Sequence, residues 1–144
     1  ALVQSITVLI QKYGDVKILI TGSSMGSALA SIAALELQLI FRRPIELHSF
    51  GCPRVGNIDY SHYLSQNIPN RIRVVHNRDI IPHVPFESLG YHHYAYEVLF
   101  DEAMKNYQVC DATGEDPKCS NRFDPNYSID DHITYWIRPH DDIC

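Results

Sequence analysis

An apolar run, Val16-Lys17-Ile18-Leu19-Ile20-Thr21, gives way to Gly22-Ser23-Ser24-Met25-Gly26 and then to an Ala- and Leu-rich stretch from Ser27 to Arg43. This strand–turn–helix succession limits the fold more than any other feature. A strand nearly continuous in apolar residues is expected to be buried on both faces, as in a parallel sheet. A serine at the centre of so sharp a turn takes up a strained backbone, so the residues two before and two after it, Gly22 and Gly26, are expected to be small to clear it. Ser24 then projects its hydroxyl above the carboxyl end of the strand. The Met25 N–H, at the positive end of the helix, points to where an oxyanion develops. The competing reading is a glycine-rich turn that cradles a phosphate. The Gly-Lys-Ser/Thr of a P-loop, however, is absent.

The rest of the chain continues the alternation. Leu2, Ile6, Leu9, Ile10 and Tyr13 recur at helical spacing and predict an amphipathic helix that buries this face. Ala1 to Ile10 also admits a signal-peptide core, but no basic residue precedes it and Gln4, Ser5 and Thr7 interrupt it. Gly14-Asp15 is a turn. The helix from Ser27 stops before Pro44. Ile45 to Phe50 and Arg71 to Val75 read as strands, with a short helix from Ile58 to Gln66 between them. His76 to Gly90 is a long loop. Tyr94 to Phe100 and Tyr107 to Cys110 read as a hairpin, and a short helix is expected near Asp131 to Ile137. The pattern predicts one α/β layered domain with a mostly parallel sheet.

The chain has 144 residues and a formal charge of −5, which gives no electrostatic reason to expect nucleic acid or an anionic membrane as partner. No apolar run approaches the roughly 20 residues of a membrane-spanning helix. Cys110 and Cys119 flank a turn-rich loop and are candidates to staple it, a closure worth about 2–3 kcal/mol. Two reduced thiols are the alternative. Asn126-Tyr127-Ser128 is a glycosylation triplet of a kind that also arises by chance. Both features point weakly to an extracytoplasmic setting.

A nucleophilic serine needs a histidine to take its proton and a carboxylate to orient that histidine, in the order Ser, Asp/Glu, His on this kind of scaffold. Asp79 follows the strand Arg71 to Val75 at a suitable place, although position alone leaves a solvated turn aspartate equally open. His132, in Asp130-Asp131-His132, precedes an apolar segment. His93 lies before a strand and is less well placed, and His140 sits among acidic residues near the end. Metal binding by His83, His92 and His93 is disfavoured, because no carboxylate sits at ligand spacing. Nothing in the pattern calls for a cofactor.

In order, these segments resemble the class 3 lipases, the fungal-type triacylglycerol lipases of the α/β-hydrolase fold. Thr21 to Ala30 resembles the family's T-G-H-S-L-G-G-A-L-A elbow. Phe50-Gly51-Cys52-Pro53-Arg54-Val55-Gly56-Asn57 resembles its Y/F-G-x-P-R-V-G-N segment. Arg73 to Pro85 resembles the stretch with the catalytic aspartate, and Gly90-Tyr91-His92-His93 with Glu97 the segment after it. Cys119-Ser120-Asn121 and Asp131-His132-Ile133-Thr134-Tyr135-Trp136 resemble the C-S-N and D-H-L-S-Y-F tail. The resemblance implies Ser24, Asp79 and His132 as the triad and Met25 as an oxyanion donor. Ser23 and Ser27 depart from the family's usual His and Gly. Both are small and polar, so the elbow still forms with a different pocket wall.

The resemblance further implies that residues 1–144 are the carboxyl-terminal part of a single hydrolase domain. The first strands, a lid and a second oxyanion donor would lie upstream, and Cys144 would match a cysteine that bridges to that part. Loss of the second donor would slow the reaction about 10²–10³-fold. The activity implied is a serine ester hydrolase, foremost a lipase acting on acylglycerols, with a lipid or ester substrate and a lipid–water interface as its partners. Phospholipase and feruloyl-type esterase activities are the alternatives on the same scaffold, and a non-catalytic secreted binding module is the reading outside it.

Overall fold

The computed structural model describes residues 1–14 and 16–136. The expectations for Asp15, Ile137, His140 and Cys144 lie outside the described residues. In chain order the elements are helix α1 (Leu2–Tyr13), strand β1 (Ile18–Ser23), helix α2 (Met25–Phe41), strand β2 (Ile45–Phe50), helix α3 (Ile58–Asn67), strand β3 (Asn70–His76), strands β4 (Glu97–Phe100) and β5 (Tyr107–Val109), and the four-residue helix α4 (Asp130–Ile133). The five strands form one sheet in the order β1-β2-β3-β4-β5. The first four run parallel, with Ile18 opposite Ile45, Glu46 opposite Asn70 and Arg73 opposite Glu97. Strand β5 returns antiparallel to β4 as the far arm of a hairpin. Among the described residues no helix is long and apolar enough to cross a membrane.

Helix α2 carries the main core. Ala30, Ala34, Leu35 and Leu37 pack with Ile45, Leu47, Leu64, Ile68 and Tyr94, and Val3 and Ile6 of α1 reach the edge of this cluster. The alanines let the helix lie close to β1 and β2. Helix α2 ends two residues earlier than its composition predicts, because Arg42 turns left-handed (φ 50°) and caps it through its N–H on the Gln38 carbonyl. Strand β4 is shorter than expected. Tyr94 stays outside the ladder and buries its ring, with its hydroxyl 2.8 Å from that of Ser49.

Two expectations about burial are corrected. Strand β1 is not buried on both faces. It alternates, with Leu19 54% exposed, because the described elements cover only the Ile18 and Ile20 face of this sheet-edge strand. Helix α1 is amphipathic, but no residue of it is fully buried, and Val3, Ile6, Thr7 and Ile10 turn inward instead of Leu2, Leu9 and Tyr13. Its apolar residues make two stripes, and contact with the core selects between them.

A second, smaller cluster holds Val75 and Leu99 with Cys110 and Cys119, which form a disulfide with Cα atoms 6.1 Å apart. Beside it lies a buried polar network. Arg54 pairs with Glu115 at 2.7 Å and donates to the carbonyls of His83 and Pro85. Arg73, wholly buried, pairs with Glu97 at 3.1 Å, and Ser120 satisfies the rest of that carboxylate. Burial, with help from Arg54 and Arg73, drives the His83 ring down to about 4. Burial also pushes Glu115 upward, but the hydrogen bond and charge of Arg54 overcome it and hold the carboxyl at about 2.

The signs fix an acid-side loss of stability. The fold holds His83 neutral, so its contribution is whole above the ordinary value of 6.5 and is lost as pH falls toward 4. The fold holds Glu115 ionised, so its contribution is whole above 4.5 and is lost as pH falls toward 2. The urea midpoint is expected to fall in two overlapping stages between about pH 7 and 2. Replacement Glu115→Gln, at some cost in stability throughout, removes the lower stage.

Candidate active site

The elbow is built where β1 meets α2. Ser24 lies between the last residue of β1 and the first of α2 at φ 54° and ψ −130°, a conformation that costs an L-residue on the order of 1–3 kcal/mol. The strand-to-helix change forces it, and the Ser24 N–H is tied down on the Phe50 carbonyl at 2.9 Å. A side chain on Gly22 would collide with the backbone of Gly26 and Ser27. Gly26 itself faces open space, so the expectation that both glycines are held small by crowding is met at Gly22 alone. Ser27, fully buried, donates its hydroxyl to the Ser24 carbonyl at 2.5 Å. This contact uses the departure from glycine to brace the turn. The Met25 N–H belongs to the first turn of α2, where the helix leaves its amides without intrahelical acceptors.

Asp79 leaves the end of β3 through Asn77, itself left-handed at φ 43°. The segment around residue 130 is then zipped onto this loop. Ser128 N–H donates to the Arg78 carbonyl at 2.7 Å, and Ile80 N–H donates to the Ser128 carbonyl. The Asp131 carboxylate accepts from the Asn77 amide at 2.9 Å and from the Arg78 N–H at 3.0 Å. These bonds place His132 beside Asp79 although 53 residues separate them.

The structure therefore brings together Ser24, Asp79 and His132. His132 Nε2 lies 2.8 Å from Ser24 Oγ, and its Nδ1 lies 2.9 and 3.0 Å from the two carboxylate oxygens of Asp79. The carboxylate only accepts at this distance, so Nδ1 carries the proton and the Nε2 lone pair faces the hydroxyl. Such an arrangement moves a proton from the hydroxyl to the ring as the oxygen attacks an electrophile.

Two further residues complete the site, and neither is visible as a site residue in sequence. Tyr135 is buried and donates its hydroxyl to Asp79 Oδ2 at 2.6 Å while accepting the His76 N–H at 3.0 Å. Burial and then the Asp79 charge push its hydroxyl well up, which keeps it a donor. Gly51, at φ 54°, passes so close that an added Cβ would sit 2.8 Å from Asp79 Oδ2 and 3.0 Å from the His132 ring. The glycine itself is the one signal that sequence offers for such a left-handed position, and it does not reveal what the backbone passes. Beside Ser24 lies a mostly apolar cavity of about 250 Å3, lined by Ser23, Phe50, Tyr135 and Trp136.

The three histidines weighed as metal ligands are engaged elsewhere. His93 Nε2 lies 2.6 Å from the Pro82 carbonyl, His92 Nδ1 lies 2.8 Å from the His93 carbonyl, and His83 stacks on Tyr127. Among the described residues, the one set of potential metal-ligand groups is Glu97 with Cys110 and Cys119, whose sulfurs are already joined.

A family model described as lipase (class 3) matches residues 1–89. A lipase of Rhizopus niveus is 37% identical over 125 residues, covering 83% of this chain and 32% of the relative. The solved structure of lipase II from Rhizopus niveus superposes with a TM-score of 0.88 at 32% identity, covering 94% of this chain and 53% of that one. A solved triacylglycerol lipase, described as having a serine protease triad at its catalytic centre, superposes with a TM-score of 0.87 at 32% identity, covering 93% and 52%. The architecture is thus the α/β-hydrolase fold. The chain spans about a third of that curated relative and about half of these solved ones.

Replacement Gly51→Ala sets a methyl against both Asp79 and His132 at a backbone angle that alanine resists. In the intact protein, turnover of an activated ester is expected to fall about 100-fold with the far-ultraviolet spectrum unchanged. Full turnover in that variant would show that the approach at Gly51 does not constrain the pair.

Proposed function

This chain belongs to the class 3 lipase family, and from that premise we propose that it supplies the reacting groups of a serine ester hydrolase that releases fatty acids from acylglycerols. The observation that carries the reading is the 2.8 Å contact between Ser24 Oγ and His132 Nε2, with Asp79 closing on the far side of the ring. His132 takes the Ser24 proton as Oγ attacks the acyl carbonyl, and the Met25 N–H receives the charge that forms on the carbonyl oxygen. The ring returns the proton to the departing alkoxide, leaving an acyl-enzyme. Water then gives a proton to His132 and attacks the acyl carbon. The fatty acid leaves with its carbon bonded to the new oxygen, and Ser24 regains its proton.

Asp79 holds the ring in the tautomer this sequence needs and stabilises the imidazolium while it lasts. The cavity walled by Phe50, Tyr135 and Trp136 is the proposed seat of the acyl chain. Met25, 73% exposed, and the exposed side chains of Leu29, Ile133 and Trp136 flank the two reacting residues in sequence and offer apolar surface to a lipid–water interface. On this reading residues 1–144 are the carboxyl-terminal part of one hydrolase domain, working where the Cys110–Cys119 disulfide persists, outside the cytoplasm. Phospholipase or feruloyl-type esterase activity would use the same three groups with a different acyl or head-group seat.

Replacement Ser24→Ala in the intact protein is expected to lower hydrolysis of short p-nitrophenyl esters by at least about 10⁴-fold. Unchanged hydrolysis would overturn the assignment of Ser24 as the nucleophile, whereas an intact protein that neither hydrolyses the ester nor takes a fluorophosphonate label would favour a binding module without catalysis.

A further inference from the structure

His76, the last residue of β3, is only 2% exposed, and both of its ring nitrogens face backbone carbonyl oxygens. Nδ1 lies 2.9 Å from the Asp131 carbonyl, and Nε2 lies 3.1 Å from the Glu102 carbonyl in the turn between β4 and β5. The Thr134 hydroxyl, 3.4 Å from Nδ1, commits its hydrogen to the Asp130 carbonyl at 2.9 Å and so meets the ring as a second oxygen acceptor. A carbonyl oxygen only accepts. A neutral imidazole has one N–H, so in that form one nitrogen turns a lone pair toward a carbonyl. The imidazolium alone satisfies both contacts.

The place of this ring in the fold gives the contacts a role. Asp131 directly precedes His132 in α4 and is gripped from two sides. The His76 ring holds its carbonyl, and Asn77 and Arg78 hold its carboxylate. The Tyr135 ring packs edge-on against His76 with centroids 5.7 Å apart, and its hydroxyl joins the His76 N–H to Asp79. The titratable and charged groups around the ring are thus Asp131 and Tyr135 on one side, with Asp79 reached through Tyr135 and Arg78 beyond Asp131, and Glu102, through its carbonyl, on the other.

We infer that His76 is a positioning residue for His132. As an imidazolium it donates one hydrogen bond to the Asp131 carbonyl and one to the Glu102 carbonyl, fastening α4 to the β4–β5 turn. The inference rests on the reading of His132 as the base. Loss of the second ring proton leaves a lone pair opposed to a carbonyl oxygen, the fastening loosens, and His132 no longer sits squarely on Ser24. Turnover therefore falls where that second proton is lost.

The test follows the ring nitrogens of His76 by NMR in the intact, histidine-labelled protein across pH, alongside kcat and KM for an activated ester. The expected result is an alkaline fall in kcat whose midpoint coincides with loss of the second His76 ring proton, with KM unchanged. Replacement His76→Gln is expected to lower kcat about 10–100-fold at the optimum and to abolish that alkaline fall. A His76 ring with a single proton throughout the active range overturns the inference, as does a His76→Gln enzyme with an unaltered profile. If the variant does not fold, the titration of the unaltered protein still decides. Labelling of Ser24 by a fluorophosphonate separates the two levels. Labelling without the alkaline coincidence removes the role of His76 alone, and absence of labelling removes the reading of His132 and this inference with it.

Discussion

A carboxylate with no contact with water survives in a fold only if its oxygens are met by donors, and the site is organised around meeting that demand at Asp79. One oxygen takes the Ile81 N–H at 2.8 Å, the other takes the Tyr135 hydroxyl, and the His132 ring lies across both. The donors come from two distant segments of the chain, Ile81 from the loop after β3 and His132 and Tyr135 from the stretch after residue 130. To satisfy this one group, the loop after β3, the turn at residue 130 and the stretch after it must all be in place. The orientation of His132 is a by-product of that demand. The ring cannot swing away without stripping a buried charge of a partner, a loss in the range of 1–3 kcal/mol or more.

The parallel sheet supplies the stage. Strands β1 and β3 run in the same direction on either side of β2, so their carboxyl ends open on the same edge of the sheet. That edge receives the Ser24 elbow from one strand and the Asp79 loop from the other. Phe50, at the end of β2, accepts the Ser24 N–H and walls the cavity next to it, and Gly51 follows as the one residue with no side chain to press on the His132–Asp79 pair. Order along the chain becomes proximity in space because three consecutive strands end together.

Much of this was legible in the sequence where local chemistry decides it. The apolar run ending in Gly22-Ser23-Ser24-Met25-Gly26 is a strand-to-helix junction on its face, and Ile45 to Phe50 reads as the strand it forms. What escaped is whatever depends on packing partners far away. Eight histidines are present, and position alone leaves several open, because the bonds that select His132 run from Asn77 and Arg78 to Asp131. Tyr135 and Gly51 look like an ordinary aromatic residue and an ordinary loop glycine until the Asp79 carboxylate is placed between them. The inward face of α1 and the one-sided burial of β1 escaped for the same reason. Periodicity shows that a face exists, but the neighbouring layer decides which one is covered.

The central claim is that the strained serine and the distant imidazole form one reacting pair. It is tested most directly by treating the intact protein with a fluorophosphonate probe and locating the adduct by peptide mass spectrometry. The account requires a single adduct on Ser24, formed rapidly and reduced at least about 100-fold in rate when His132 is replaced by Ala. An unmodified Ser24, or labelling that proceeds equally fast without His132, would contradict it.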